Sequence, residues 1–163
     1  MRLLFALPAL AFVDFFKASF LRILGAKVGN RCVFQSGLWI MTGRNLSIGN
    51  HVEFGIGVLM TTDGGITIGD SVFIGPKTQI ISSNHIIPNR SERIFNSGHI
   101  RKPVTVGKNA VIGGNCVILP GVAIGEGSTV DEGSIVTKSI PAFARAGGNP
   151  ARVIELKSHV GTN

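Results

Sequence analysis

The sequence is poor in cysteine and in charge, and each shortage excludes a class of protein. Its 163 residues include two cysteines, Cys32 and Cys116, and no CxxC pair, so a disulfide framework is not indicated. A reducing, cytoplasmic setting is therefore the simplest expectation. Charged residues make up only 15% of the chain while hydrophobic residues make up 44%, which is not the composition of a disordered protein.

Acidic residues are scarce relative to basic ones, 9 against 16, which gives a formal net charge of +7. A basic chain favours anionic partners, such as a phosphorylated cofactor, an acidic glycan, nucleic acid or a membrane surface. Nucleic acid is not expected, because neither an aromatic platform nor a helical reader accompanies the charge. Glycine, in contrast, is abundant with 22 residues. Together with many valines and isoleucines, it predicts short strands joined by tight turns.

Long apolar runs are also lacking, although residues 1–24 form a distinct apolar segment. Its run 3–13 contains Pro8 and is too short to span a bilayer. The second half carries an apolar stripe at helical spacing, made of Phe12, Phe16, Phe20 and Leu24. This stripe predicts an amphipathic helix with Asp14, Lys17 and Arg22 elsewhere on it. Two compatible roles stay open: capping the open end of a repeat array, or lying peripherally on the inner membrane leaflet.

Residues 25–141 are dominated by a six-residue repeat. Aliphatic residues recur every six positions, and a small or apolar residue stands two positions before each of them. The clearest aliphatic series is Val106, Ile112, Ile118, Ile124, Val130 and Val136. Both cysteines occupy the small-residue slot, which predicts buried packing roles for them. Residues 142–163 follow as a C-terminal segment.

Three repeat units are expected to close one coil of a triangular prism. Neighbouring coils would then pair as parallel strands about 4.8 Å apart. Equivalent residues are separated by 18 residues from Val106 to Ile124, but by 38 from Ile68 to Val106. The residues in excess of an 18-residue coil fall at one corner. One of these insertions is a long loop at about 86–103, directly after Asn84 and His85. Long loops in compact repeats are usually functional.

The ordered motifs around this repeat resemble those of the hexapeptide-repeat acyltransferases. The motifs are SNH at 83–85, KPV at 102–104, ILPGVAIG at 118–125, GSIVTK at 133–138 and GNPARVI at 148–154. The resemblance covers nearly the whole chain from Leu24 and is closest to polysaccharide and sugar O-acetyltransferases. It implies a β fold, the left-handed parallel β-helix, with acetyl-CoA as donor. The implied acceptor is a hydroxyl of a sugar or of a bacterial surface polysaccharide precursor.

The same resemblance implies a homotrimer with active sites between neighbouring subunits, no metal and no covalent acyl-enzyme. Acyl transfer to a hydroxyl needs a base, and a neutral imidazole suits that task. His85 stands at the mouth of the loop and matches the family's base, so we predict that it is the general base. His99 in the loop is a candidate acceptor contact. His51 in a turn and His159 in the tail are expected to be structural or solvated.

The other substrate candidates are polar residues. The second ring nitrogen of the base needs an orienting partner, for which Glu53, Asp63 and a backbone carbonyl remain open. Asp63 matches an acidic acceptor-binding position of sugar acetyltransferases and sits at the same corner as His85 one coil earlier, so acceptor binding is preferred for it. Asn84 belongs to the same predicted substrate site. Asp14 on the N-terminal helix is a weaker acceptor candidate.

Donors for the oxyanion of the tetrahedral intermediate are expected from the backbone. Gly113 and Gly114 are the candidates, since glycine lets a thioester approach closely. The chain departs from many relatives just before the Ile112-Gly113 pair, where it has Val111 in place of a tryptophan against the pantetheine arm.

Cations should meet the phosphates of CoA. Lys138 and Arg152 match such positions of the family, and Thr137 and Glu132 match positions that line CoA, although Glu132 replaces a smaller residue. These four residues complete the predicted cofactor site.

Two other functions remain open from the sequence. One is CoA-dependent acyl transfer to a small soluble amine or alcohol, such as a nucleotide-linked amino sugar, serine or an antibiotic. The other is a non-enzymatic scaffold or a carbonic-anhydrase-like solenoid, which would need several metal-binding histidines between subunits.

Overall fold

The chain is a left-handed parallel β-helix preceded by two short helices, in a computed structural model that describes residues 2–87 and 97–156. The helices are α1 (Arg2–Ala6) and α2 (Ala11–Ile23). The strands are β1 (Lys27–Val28), β2 (Val33–Phe34), β3 (Trp39–Ile40), β4 (Leu46–Ile48), β5 (Glu53–Phe54), β6 (Leu59–Thr61), β7 (Ile66–Ile68), β8 (Phe73–Ile74), β9 (Gln79–Ile81), β10 (Ser83–His85), β11 (His99–Arg101), β12 (Val104–Val106), β13 (Val111–Ile112), β14 (Val117–Ile118), β15 (Ala123–Ile124), β16 (Thr129–Val130), β17 (Ile135–Val136), β18 (Ala144–Gly148) and β19 (Ala151–Leu156).

Three sheets form the sides of the prism, as the six-residue period predicts. The first sheet contains β1, β4, β7, β12 and β15, and the third contains β3, β6, β9, β14 and β17, each in that order. The second sheet runs β2, β5, β8, β13, β16 and β18, with β19 added antiparallel at its end. Successive coils pair in register, so that Val106 is the strand partner of Ile68 in the coil before it and of Ile124 in the coil after it. The predicted ladder is confirmed.

The core consists of the inward aliphatic columns and the small residues beside them. Cys32 and Cys116 are buried, as their slot predicts. The sulfur of Cys32 lies 3.2 Å from the carbonyl oxygen of Gly49, and that of Cys116 lies 3.2 Å from the carbonyl oxygen of Asp131. Burial raises the pKa of both thiols, which keeps them protonated and unreactive.

The corners between sheets repeat the same backbone turn in successive coils. At the first corner, between the first and second sheets, one turn position is left-handed in every coil, with φ from 55° to 57° at Arg31, His51, Ser71 and Asn109 and 63° at Gly127. His51 is therefore a turn residue, as expected. At the second corner, between the second and third sheets, the coils touch backbone to backbone. A Cβ on Gly75 would collide with the Gly114 nitrogen, so only glycine fits there.

The helical cap differs from the sequence expectation in the face that it buries. Helix α2 forms and packs on the first coil, but its buried residues include Asp14 and Lys17, which are 7% and 0% exposed. Phe12 and Phe16 face outward and are 65% and 58% exposed. Asp14 cannot serve as the acceptor contact proposed for it, because its carboxylate is held in the cap. No helix in the described ranges is long and apolar enough to cross a membrane.

Candidate active site

The departures from the strict repeat lie at one corner, between the third and first sheets, as the spacing arithmetic predicts. We call it the arm corner; its connections are 41–45, 62–65, 82–103, 119–122 and 137–139. The other two corners, which we call the regular corners, keep short turns throughout the coils. The long loop is therefore attached at one edge of a rigid scaffold, an arrangement that often carries binding and catalytic residues.

The long loop begins as a two-stranded arm. β10 pairs antiparallel with β11, which places His85 opposite His99. Lys102 donates its N–H to the Ser82 carbonyl oxygen at 2.9 Å, and Ile86 donates to Gly98 at 3.1 Å. The predicted long loop at about 86–103 is present, and the arm begins three residues before it, at β10. Residues 88–96 of the predicted loop lie outside the described residues.

His85 presents an exposed imidazole on this arm. Its ring centroid lies 4.2 Å from that of His99, with 43° between the ring planes. The His85 backbone N–H donates to Asn84 Oδ1 at 2.9 Å, so the Asn84 amide is partly engaged in holding the arm. The pairing of the two histidines is not visible in the sequence, since it depends on the register of the arm. An exposed imidazole can reach the hydroxyl of an incoming acceptor.

Asp63 lies beside the root of the arm, on the preceding coil. Ser83 Oγ donates to Asp63 Oδ2 at 3.5 Å. Directly below, Ser82 is fully buried, accepts the Gly64 N–H at 2.9 Å and donates its hydroxyl to the Thr61 carbonyl. Sequence reasoning missed Ser82; the signal that could have found it is its place two residues after the aliphatic Ile80, where the preceding coils have Thr42 and Thr62. Asp63 and His85 thus share one corner, as predicted.

Glu53 lies elsewhere. It is on β5 in the second sheet, between the strands that carry Val33 and Phe73. The second sheet is the side of the prism opposite the arm corner, so within one chain Glu53 cannot orient His85. The side chain in ring contact with His85 is His99 rather than a carboxylate.

The two glycines proposed as oxyanion donors lie at the second corner together with Glu132. Gly113 donates its N–H to the Val130 carbonyl at 2.8 Å, so this group is not available to an oxyanion. A Cβ on Gly113 would meet the Glu132 nitrogen at 2.7 Å. Glycine at this position therefore allows the coils to stack, which corrects the role predicted for Gly113.

The remaining cofactor candidates are spread over two places. Thr137 and Lys138 follow β17 at the arm corner and are exposed. Arg152 is exposed on β19, where its guanidinium donates to the Ala151 carbonyl at 3.0 Å. One chain therefore does not gather all of the predicted cofactor residues around His85. In residues 2–87 and 97–156, no three His, Cys, Asp or Glu side chains are grouped so that they could hold a metal ion.

Comparison with known proteins finds hexapeptide-repeat acetyltransferases both by sequence and by fold. Residues 103–138 match the family model described as the hexapeptide repeat of succinyl-transferase. Nodulation protein L of Rhizobium meliloti is 37% identical over 134 residues, which cover 82% of this chain and 72% of that protein. The galactoside O-acetyltransferase of Escherichia coli is 35% identical over 85% of this chain and 67% of its own length.

A solved structure shares most of this architecture. The hexapeptide-repeat acetyltransferase of Vibrio cholerae, in its complex with acetyl coenzyme A, superposes with a TM-score of 0.80 at 33% identity. The match covers 89% of this chain and 79% of that one.

Proposed function

Since this chain belongs to the hexapeptide-repeat acetyltransferases and uses acetyl-CoA as the acetyl donor, we propose that it acetylates a sugar hydroxyl with His85 as general base. The observation that carries the proposal is the arm corner, where His85 and Asp63 lie on consecutive coils beside an open surface. The similarity to the galactoside O-acetyltransferase supports a sugar as acceptor, free or within a bacterial surface polysaccharide precursor.

In the proposed reaction, the acceptor hydroxyl binds at the arm corner with Asp63 accepting a hydrogen bond from a neighbouring hydroxyl of the sugar. His85 takes the proton of the reacting hydroxyl as its oxygen attacks the acetyl thioester. The sulfur that leaves receives a proton from His85. The ring of His99 packs against that of His85 and limits its rotation, which favours one orientation of the base.

We also propose a homotrimer, because a single chain presents the site in separate parts. His85 is at the arm corner, while Gly114 and Glu132 are at the second corner, with the third sheet between them. A neighbouring subunit's second corner, placed against the arm, would complete a cleft for CoA. The outward surface of the third sheet is also suited to packing against a neighbouring subunit, because its residues are largely apolar. They are Trp39, Leu59, Gln79, Val117 and Ile135. The matching residues of the first sheet are mostly polar: Lys27, Ser47, Thr67, Thr105 and Ala123.

The test is CoA thiol release from acetyl-CoA with a panel of acceptors: a galactoside, maltose, a nucleotide-linked amino sugar and serine. We expect release with the sugars, and mass spectrometry should locate one added acetyl ester on the product. Transfer to the amino sugar or to serine alone would favour the soluble-amine or small-alcohol alternative and contradict the proposal. Undiminished transfer by His85→Ala would contradict the assigned base.

A further inference from the structure

Helix α2 exposes a row of large apolar side chains although it packs on the solenoid. The residues directed away from the protein are Phe12, Phe15, Phe16 and Ile23, which are 65%, 64%, 58% and 82% exposed. We call this surface the phenylalanine face. Its positions recur at helical spacing on one side, and the opposite side buries Asp14 and Lys17 together with three apolar residues. A protein rarely leaves three phenylalanines on one exposed helical face unless something covers them.

The inward direction of the polar residues has a physical cause. The first coil has no coil below it, so the backbone of β2 would present unpaired groups at this end. Lys17 Nζ donates to the Phe34 carbonyl at 2.6 Å and to the Leu7 carbonyl at 3.0 Å, and Asp14 Oδ1 accepts the Phe34 N–H at 3.2 Å. The two side chains also form an ion pair at 3.6 Å. Because this contact fixes the rotation of the helix, the phenylalanine face must point outward.

The exposed charged residues of helix α2, of the first coil and of the connection that follows it are all basic. From residue 3 to residue 52 the only acidic residue is Asp14, which is buried. The exposed charged residues of this stretch are Arg22, Lys27, Arg31 and Arg44. An apolar helical face flanked by cations is the pattern of a helix that lies in the interface of an anionic bilayer. A second copy of the chain fits less well, because self-association through this face would bring like charges together.

We propose that the phenylalanine face and its basic surroundings bind the surface of an anionic lipid membrane. Helix α2 has 13 residues, so it lies along the interface with its phenylalanines among the acyl chains rather than crossing the bilayer. The solenoid then stands with its first coil nearest to the lipid. Membrane binding does not depend on the proposed reaction.

One consequence of this orientation does rest on the proposed function. The arm leaves the third coil, two coil spacings or about 10 Å beyond the first coil. His85 would therefore act close above the lipid headgroups. This position suits an acceptor sugar attached to a lipid anchor.

The experiment is vesicle flotation with three purified proteins: the full chain, the triple variant Phe12→Ser/Phe15→Ser/Phe16→Ser, and the control Val153→Ser/Ile154→Ser. The control removes two exposed apolar side chains from β19 at the other end of the solenoid. Vesicles consist of phosphatidylcholine alone or of phosphatidylcholine mixed with phosphatidylglycerol. We expect the full chain and the control to float with the anionic vesicles, and the triple variant to bind about a hundredfold more weakly.

A second variant, Lys27→Gln/Arg44→Gln, tests the charges separately. Each lost cation should weaken binding to the anionic vesicles about fivefold and reduce its sensitivity to salt. Equal binding by the full chain and the triple variant, or no binding by the full chain, would overturn the proposal. So would a smaller oligomer of the triple variant in light scattering, because the face would then join copies of the chain.

Two further readouts separate this proposal from the enzymatic one. Circular dichroism and thermal unfolding should show the triple variant to be folded, since the changed side chains are exposed. Its CoA release with a water-soluble acceptor should equal that of the full chain. Loss of flotation with retained CoA release is thus the expected result, whereas failure of the proposed function would abolish CoA release in both proteins.

Discussion

The arm corner and the two regular corners are built from the same six-residue unit, but they hold different kinds of residues. At the regular corners, left-handed turn residues such as His51 and packed glycines such as Gly75 serve the stacking of coils. At the arm corner, His85 and Asp63 are not needed for stacking and face an open surface. Packing constraints also act at the arm corner, where a Cβ on Gly64 would meet the Ser82 carbonyl oxygen and the Lys102 nitrogen. The arm corner differs in that its connections vary in length and bring His85 and Asp63 to an open surface.

Replacing a histidine at the arm corner and a histidine at a regular corner should give the largest difference in kcat. His85→Ala should lower kcat by about a hundredfold to ten-thousandfold, the range for a lost general base. His51→Asn, at the first corner, should leave kcat unchanged, because asparagine tolerates the left-handed turn. The measurement is initial CoA release at saturating acceptor. A comparable loss in both variants would contradict the division between corners.

The free energy of unfolding should depend on the regular corners rather than on the arm corner. Gly75→Ala places a Cβ against the backbone of Gly113 and Gly114, and we expect the free energy of unfolding to fall by about 3 kcal/mol through overpacking. Urea titration followed by circular dichroism measures the change. His85→Ala serves as the control and should stay within about 0.5 kcal/mol of the parent, as expected for an exposed residue. A stable Gly75→Ala variant would show that the coils can separate locally.

The KM for the sugar should respond to replacement of an aspartate at the arm corner but not of one at a regular corner. Asp63→Asn should raise the KM for the sugar about tenfold, because it weakens a hydrogen bond to a charged group. Asp70→Asn is the matched change at the first corner, where Asp70 Oδ1 accepts the Asn50 N–H at 2.6 Å. That variant should affect stability rather than KM. An unchanged KM in Asp63→Asn would remove Asp63 from the acceptor site.

The smallest expected effect concerns donor binding. Lys138→Gln at the arm corner should raise the KM for acetyl-CoA about fivefold and leave that for the sugar unchanged, in keeping with a lost exposed charge contact. Lys108→Gln provides the control, since Lys108 is exposed at the first corner and pairs with Glu126 at 3.2 Å. Equal KM values for acetyl-CoA in the two variants would place the phosphates of CoA elsewhere.

Much of the fold follows from periodicity, while the contacts of the site do not. The spacing from Ile68 to Val106 shows where the coils are interrupted, because parallel in-register stacking requires equivalent residues to repeat at a fixed interval. The contact of His85 with His99 does not follow, since it depends on how two segments pair across an arm. Gly113 was misjudged for a similar reason: its N–H and its missing side chain serve the next coil.

The sequence by itself determined the six-residue ladder, the corner at which it is interrupted and the family resemblance of the motifs around His85. Only the tertiary structure decided which face of helix α2 is buried. Hydrophobic spacing places Phe12 and Phe16 on one face, but Phe20 of the predicted stripe packs against the core. Spacing also cannot show that the open edge of the first coil needs the polar groups of Asp14 and Lys17. Unpaired backbone groups at the end of a solenoid are a property of the assembled coil, so no local pattern reveals them.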